Sequence, residues 1–365
     1  MKKTKIFIFN PYSVVGGTDL SLSRLINFFI KKKKYDVTYI CLNKTAINFY
    51  LKKKIHIIII KKSRTLFSIW KLRKIITKHN FTKYKKTVFI SNQNYANVIA
   101  ALALNKFNYL KKIAIERTPL SELSTYENLT KLVKSSLIKL LIFFFYKKFD
   151  KIICISKSIE ESLKKISTCK TIVIYNPCFK EMVIKKRIKK NKHKKIILLN
   201  VARLDINKDQ MTILKAVKKI KESENLNFKL IIIGYGEQFD ILLKYIIKNS
   251  LTKYVKIIRS QNPSKFYKMA DLFILSSKYE GFGNVLIEAG TFGIPIISTR
   301  SGGPIEILNN EKFGRFFNSG DSESLAKIIT KFIKKEINIK KITLNHLKKF
   351  SYKNFYQYEK VINDL

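Results

Sequence analysis

The chain has only four cysteines, Cys41, Cys154, Cys169 and Cys178, and no C-x-x-C pair among them. Three lie in or beside apolar runs, the pattern of buried free thiols in a reducing compartment. That excludes a disulfide framework and a thiolate metal site. Long apolar runs are missing as well. Lys2, Lys3 and Lys5 precede a run of just Ile6 to Phe9, short of the roughly 7–15 residues a secretory signal needs. The most lipid-like stretch, Leu137 to Tyr146, is broken by Lys139 and falls well below the roughly 20 residues that span a bilayer. The expectation is a cytoplasmic protein, soluble or peripheral on the inner face of the cytoplasmic membrane.

Acid is scarce too. The chain carries 25 Asp and Glu against 73 Lys and Arg, a formal net charge of +48. A proteome rich in Lys, Ile, Asn, Phe and Tyr accounts for part of this, since runs such as Lys31 to Lys34 fall on solvated faces. Attraction to a polyanion, either an anionic membrane surface or nucleic acid, is the functional reading. Both stay open on composition alone.

What is present is a repeated strand–helix pattern, and 365 residues suffice for two cores. Short β-branched runs occur at Lys5–Phe9, Asp36–Cys41, Ile55–Ile60, Thr87–Ser91, Lys112–Glu116, Lys151–Ile155 and Thr171–Tyr175. A second series follows at Lys195–Ala202, Lys229–Gly234, Val255–Ile258, Leu272–Leu275, Ile294–Ser298 and Gly314–Phe317. Apolar strands alternating with amphipathic helices predict parallel sheets covered on both faces. Between the series, Asn176-Pro177 leads into a lysine-heavy stretch that cannot form a core. The predicted division is a domain at 1–176, a linker at 177–194, a second domain at 195–345, and a C-terminal helix at 346–365 returning to the first domain. Two doubly wound α/β domains would face each other across a cleft, with the carboxyl ends of both sheets pointing into it.

Glycine is the last scarce residue, at 12, about half the usual frequency of roughly 7%. None lies between Thr18 and Ile233, so glycine is kept where backbone approaches something or where φ is positive. Gly290, Gly293, Gly314 and Gly320 read as ordinary helix C-caps. Gly281, Gly283, Gly302 and Gly303 read as sites of ligand approach. Gly16-Gly17 opens the first helix, where backbone N–H groups form a phosphate site. The full G-x-G-x-x-G is absent, so a dinucleotide site of the dehydrogenase type is not supported.

Two segments carry chemistry. Val201 to Asp209 runs from a strand into a helix and places Arg203 and Lys208 in the loop between, where two cations can hold a diphosphate. Ser276 to Gly290 reads as a strand closed by Glu280, a loop Gly281-Phe282-Gly283-Asn284, and a helix bearing Glu288. One carboxylate beside glycine-freed amides can take sugar hydroxyls, and the second, a helical turn on, can reach a ribose diol. Leu286, Ile287 and Ala289 around Glu288 are apolar, which favours a buried polar task over a solvated helix position.

The second half resembles the retaining glycosyltransferase family 4, of GT-B fold. The resemblance rests on Glu280 and Glu288, on Arg203, Leu204 and Lys208, and on Ile233-Gly-Tyr-Gly-Glu237. Asn262-Pro263 ahead of Ala270-Asp271, and Gly303-Pro-Ile-Glu-Ile-Leu308, complete it in the family's order. It implies that Arg203 and Lys208 bind the donor diphosphate and stabilise the leaving group without a metal or other cofactor. It implies that Glu280 contacts the donor sugar and Glu288 the ribose, with Phe282, Gly283, Asn284 and Val285 lining the sugar-phosphate pocket through their backbone, and Gly17 contributing from the N-terminal loop. Attack on the departing face, with the leaving phosphate taking the acceptor's proton, needs no strong protein base, which suits a chain with four histidines. Two departures stand out. Where many relatives place a histidine, this chain has Glu116 and Arg117, which would face the sugar instead. Arg259-Ser260-Gln261 replaces a usual glycine in the nucleobase loop, and uridine is the expected base. His56, His79, His193 and His346 read as structural or exposed.

The branch resembled acts on lipid-linked or envelope oligosaccharides, so the expected partners are a nucleotide-sugar donor and a glycan or lipid-linked glycan acceptor. Lys131 to Lys148 reads either as a basic amphipathic helix on anionic lipid or as a core helix packed under the strand at Ile152. Rival functions are a sugar-nucleotide epimerase of the same fold, an inactive partner subunit, and a nucleic-acid binder. No RNA or DNA module is visible, and the aromatics lie in apolar runs rather than interleaved with glycine and arginine, so no specific nucleic acid is expected.

Overall fold

A computed structural model describes residues 2–12, 16–42, 47, 50–61, 65–120, 129–179, 195–260 and 262–365. Most of the expected linker, with His193, and Gln261 of the base loop lie outside the described residues. The chain divides into two compact units, Met1–Pro177 with Tyr352–Leu365, and Cys178–Ser351.

The first unit is a seven-stranded sheet in the order β3-β2-β1-β4-β5-β6-β7. Its strands are β1 (Thr4–Phe9), β2 (Tyr35–Cys41), β3 (His56–Ile59), β4 (Lys86–Asn92), β5 (Lys111–Glu116), β6 (Lys151–Cys154) and β7 (Thr171–Val173). All neighbouring pairs are parallel. Burial on both faces is why these strands read as unbroken β-branched runs rather than as alternating ones. The helices are α1 (Gly17–Lys31), α2 (Ile69–Thr77), α3 (Asn94–Leu104), α4 (Leu129–Phe145) and α5 (Lys157–Lys164). Right-handed crossovers place α2, α3 and α4 on one face of the sheet, with α3 packed between the other two.

The second unit has six parallel strands in the order β10-β9-β8-β11-β12-β13. They are β8 (Ile196–Val201), β9 (Phe228–Ile233), β10 (Val255–Ile258), β11 (Leu272–Leu275), β12 (Ile296–Thr299) and β13 (Arg315–Phe317). Its helices are α6 (Gln210–Ser223), α7 (Phe239–Lys248), α8 (Ser264–Met269), α9 (Asn284–Thr291), α10 (Gly302–Ile307), α11 (Ser322–Ile333) and α12 (Leu344–Leu347). Leu198, Leu230, Ile232 and Ile274 of the sheet share one core with Ile213 and Val217 of α6 and Leu325 and Ile329 of α11.

The last helix, α13 (Asn354–Asp364), belongs to the first unit, and the chain re-enters that unit at Tyr352. Phe355 is buried and stacks on Phe28 of α1 at 5.2 Å between ring centroids. Glu359, also buried, accepts from Tyr35 at 3.0 Å and pairs with Lys32 and Lys34. Those three donors hold its carboxyl below the ordinary range against the opposing effect of burial. Phe355→Ala should therefore lower the stability of the first unit by about 3–5 kcal/mol, read as an earlier urea transition. An unchanged transition would show that α13 does not complete this core.

Candidate active site at the sheet edge of the second unit

In the second unit β8 and β11 are neighbours, but β8 leads on to β9 and β11 to β12, on opposite sides. The loops that follow them, 202–209 and 276–283, therefore leave the carboxyl edge side by side, at the switch point where ligands bind in such sheets. Here the two loops are laced together. The Asn207 side chain donates through Nδ2 to the Tyr279 carbonyl at 3.0 Å and accepts the Tyr279 N–H at 3.1 Å. The Lys278 N–H donates to the Asn207 carbonyl at 2.8 Å, and Ser276 Oγ to the Lys208 carbonyl at 2.7 Å. Asp209, at φ 46°, turns the chain into α6 and caps it through Thr212.

The lacing puts Lys208 Nζ 2.7 Å from Glu280 Oε2, with both side chains more than four-fifths buried. Ser277 Oγ donates to the same oxygen at 3.3 Å. Arg203, on the same loop as Lys208, is mostly exposed and pairs with Asp205 at 2.9 Å. The structure thus brings together Lys208 and Glu280 directly, with Arg203 beside them on the loop.

Glu280 does not close the strand as expected. Strand β11 ends at Leu275, because Ser276 bonds across to the 202–209 loop while the Ser277 carbonyl accepts from Thr299 Oγ1 at 2.6 Å. Gly283, at φ 97°, is the N-cap of α9 and offers no side-chain acceptor to its first turn. The first-turn amides of Asn284 and Val285 consequently start a helix whose positive end suits an anion. Asn284 Oδ1 accepts from the Cys178 thiol at 3.3 Å. The Phe282 ring is buried edge-on against Phe350, so only its backbone can serve a ligand. Gly303, expected to face a ligand, instead faces Phe282: a Cβ there would lie 2.3 Å from the Phe282 Cα. Of the four glycines read as helix C-caps, Gly293 follows the end of α9, whereas Gly290 lies within that helix against Ile342 and Leu347.

Glu288 sits in the middle of α9 and accepts from the Tyr267 hydroxyl at 3.0 Å. Tyr267 is buried, stacked on Phe273 and Phe292. Its burial beside a carboxylate keeps the phenol protonated far above its ordinary range, so it acts as a fixed donor. Arg259 follows β10 and is exposed, its guanidinium 3.8 Å from the Phe239 ring centroid, a flat cation two strands away from Lys208. His346 is structural, bonded to the Ile307 carbonyl at 2.9 Å. Sequence reasoning missed Asn207, Ser277 and Tyr267. The one available signal was an Asn in a strand-to-helix loop, and that residue type ordinarily marks a turn.

The remaining candidates lie in the first unit. Gly17 is exposed at the start of α1, but Asp19 is buried in the same first turn. Glu116 and Arg117, expected to face a sugar, are instead both buried. Glu116 Oε2 accepts from Tyr146 at 2.7 Å and Asn97 at 3.3 Å, and Oε1 accepts the Arg117 N–H at 3.1 Å. Arg117 donates to Asn92, Ser21 and Asn176, and Asn92 in turn to Asn10 across the β1–β4 switch point. The pair ties the carboxyl-edge loops of this unit together.

Two predictions arise here. Asn207→Ala removes both side-chain bonds of the lacing and should cost the second unit about 1–3 kcal/mol; denaturant unfolding measures this, and a neutral variant would mean the loops hold without it. Burial pushes the Glu116 carboxyl up to about 7, against four donors that lower it. The folded protein keeps this proton over a window, from 4.5 to about 7, in which the unfolded chain has lost it. The group's contribution is therefore full below that window and declines as pH rises through it. Comparing Glu116→Gln with the parent, the variant should gain relative stability across the window by up to about 3 kcal/mol. A difference flat with pH would show that native Glu116 titrates like a free side chain.

Residues 183–354 match the family model described as glycosyl transferases group 1. Among curated proteins, the chain is 28% identical over 328 residues to the Campylobacter jejuni N-acetylgalactosamine-N,N'-diacetylbacillosaminyl-diphospho-undecaprenol 4-alpha-N-acetylgalactosaminyltransferase, covering 86% of this chain and 85% of the relative. It is 26% identical to a capsular polysaccharide biosynthesis glycosyltransferase of Staphylococcus aureus, covering 92% and 89% of the two. Among solved structures, a lipopolysaccharide outer core galactosyltransferase in its apo form matches with a TM-score of 0.73 at 19% identity, covering 99% and 100% of the chains. An Anabaena protein in complex with UDP and glucose matches with a TM-score of 0.77 at 18% identity, covering all of both chains.

Proposed function

We propose that the chain, whose residues 183–354 match the family model described as glycosyl transferases group 1, is a glycosyltransferase of GT-B fold that transfers a hexose or N-acetylhexosamine from UDP to a glycan or lipid-linked glycan in envelope polysaccharide or glycoconjugate synthesis, with retention. The observation that carries this is the Lys208–Glu280 pair, held at the switch point of the second unit with Arg203 on the same loop.

As the bond between the anomeric carbon and the diphosphate breaks, negative charge grows on the leaving oxygen. Arg203 and Lys208 are the cations placed to stabilise it. Lys208 then exchanges its carboxylate partner for a phosphate oxygen, and Glu280 becomes available to accept from the sugar hydroxyls. Glu288, steadied by Tyr267, accepts from the ribose diol, while Gly283, Asn284 and Val285 offer backbone to the phosphates. Arg259 is the proposed contact for the base or its ribose. The acceptor oxygen bonds the anomeric carbon on the face the diphosphate leaves, and its proton passes to the departing phosphate. No cofactor and no metal enters this scheme.

The envelope setting draws on the names of the Campylobacter and Staphylococcus relatives, the former acting on a diphospho-undecaprenol-linked sugar. Among the described residues no helix is long and apolar enough to cross a membrane; the proposed setting for a lipid-linked acceptor is the cytoplasmic surface of the membrane, where the chain meets it as a peripheral protein.

UDP-hexoses and UDP-N-acetylhexosamines should raise the thermal midpoint, and turnover should require an acceptor. Glu280→Gln, which keeps an acceptor for Lys208, and Arg203→Ala should each cut kcat by about 100- to 1000-fold at an unchanged fold. The anomeric proton coupling of the product reports retention or inversion. Product formed from donor alone would favour the epimerase, and full activity in Glu280→Gln would reject the site.

A further inference from the structure

Between Asp36 and Glu116 the chain has no acidic residue at all, and none occurs between Glu127 and Asp150. These two acid-free stretches contain α2, α3 and α4, three neighbouring helices on one face of the first unit; α5, at the far edge of that face, carries Glu160 and Glu161. Ordinary surfaces intersperse both signs of charge. The helices α2, α3 and α4 carry one.

The same face leaves apolar side chains in water. On α4, Val133, Leu137, Leu140 and Phe144 are exposed, and their spacing of four, three and four residues lines them up along one side of a helix. Ile138 and Ile142 occupy the opposite side and are buried. The helix is thus apolar on both sides, while the fold covers one. On the far side of α3, Leu66 and Phe67 in the turn before α2 are exposed, and Trp70 on α2 is 75% exposed. Cations sit over the exposed rings: Arg73 over Trp70 at 5.1 Å, Lys147 over Phe143 at 4.7 Å, and Lys134 over Tyr95 at 5.1 Å. Lys71 and Lys74 are exposed beside Trp70.

Three partners can be weighed on this chemistry. A second copy of the chain would set lysines against lysines with no acid to separate them. A nucleic acid would satisfy the cations but give Val133, Leu137 and Leu140 nothing, because aliphatic groups gain only on leaving water. An anionic bilayer satisfies both, since acyl chains take the apolar stripe while headgroup phosphates take the lysines. We propose that the α2–α4 face of the first unit docks on an anionic lipid bilayer, with Trp70 and the Val133–Phe144 stripe at the boundary between headgroups and acyl chains. The proposed function supplies the purpose, bringing the protein to a lipid-linked acceptor, but docking itself involves no sugar.

Trp70 is the sole tryptophan, so the intrinsic fluorescence of the full chain reports this face directly. Mixed with vesicles of phosphatidylcholine and phosphatidylglycerol, the protein should sediment with them. Trp70 emission should shift to the blue and be quenched by lipids brominated on the acyl chain. Vesicles of phosphatidylcholine alone should give little of either. Leu137→Asp combined with Leu140→Asp, both at exposed positions, should abolish the quenching. Lys134→Glu combined with Lys147→Glu should weaken binding about tenfold or more, as the loss of two lysine–headgroup attractions implies. Sedimentation without a Trp70 shift would overturn the proposal by placing the contact elsewhere. Failure to bind phosphatidylglycerol vesicles would also overturn it, as would equal displacement by random RNA with the leucine variants unaffected. The UDP-sugar thermal shift, run on the same preparations, separates the two readings: donor binding without vesicle insertion fails the docking alone, and insertion without donor binding fails the transferase site alone.

Discussion

The chemistry available to the second unit depends on the lacing of two loops across one strand boundary. Lys208 and Glu280 are 72 residues apart in sequence and meet at 2.7 Å, because β8 and β11 are adjacent and their loops share backbone bonds. The pair itself adds little net stability, since the attraction between two largely buried charges is offset by the cost of removing both from water. Its value lies in position. Bonds from Asn207, Lys278 and Ser276 hold the loops together whether or not the ion pair is made. In the proposed reaction, Lys208 can therefore pass from carboxylate to phosphate without the loops coming apart. Such preorganisation lets a fixed charge stabilise a departing anion without reorganisation at the moment of reaction.

The same topology is put to a different use in the first unit. There the switch point is filled by Asn10, Asn92, Arg117 and Glu116, and the network reaches Ser21 at the start of α1 and Asn176 near the end of the first segment. Buried polar groups of this kind are costly unless every member is satisfied, and Glu116 accepts four hydrogen bonds. The unit therefore presents a tied edge where the second presents charged side chains at an accessible one. Glu116 bears the consequence, a carboxyl with its pKa raised to about 7 although four donors favour its charge.

The strands were legible because burial on both faces writes them as continuous β-branched runs, and their ends agree with the structure to within about two residues. Helix starts were legible where a cap or a glycine pair stood, as at Gly16 before α1. What escaped was whatever depends on contacts between distant segments. Glu280 read as a strand end because Ser276 and Ser277 carry no local mark that they turn toward other loops. Glu116 and Arg117 read as sugar-facing because the resemblance put them where many relatives carry a histidine, and their partners Asn97, Tyr146, Asn92 and Asn176 follow no period that a single sequence displays. Asn207 and Tyr267 escaped for the same reason. Gly303 looked like a ligand site because a required glycine does not say whether its neighbour is a substrate or, as here, the Phe282 backbone.

The charge imbalance becomes intelligible once the acids are located. Glu359 is buried under Lys32 and Lys34, Asp36 pairs with Lys5, Glu280 with Lys208, and Asp271 accepts the Ile197 N–H at the edge of β8. Glu116 is wholly interior. These five of the chain's 25 carboxylates are committed to holding elements together, which deepens the excess of positive charge that 73 Lys and Arg leave on the outside. A surface of one sign attracts any polyanion through the release of counterions, so positive charge alone selects no partner. Selection has to come from the term that a phosphate backbone in water cannot supply. On the α2–α4 face that term is the exposed apolar stripe and its tryptophan, which gain free energy only where water is excluded.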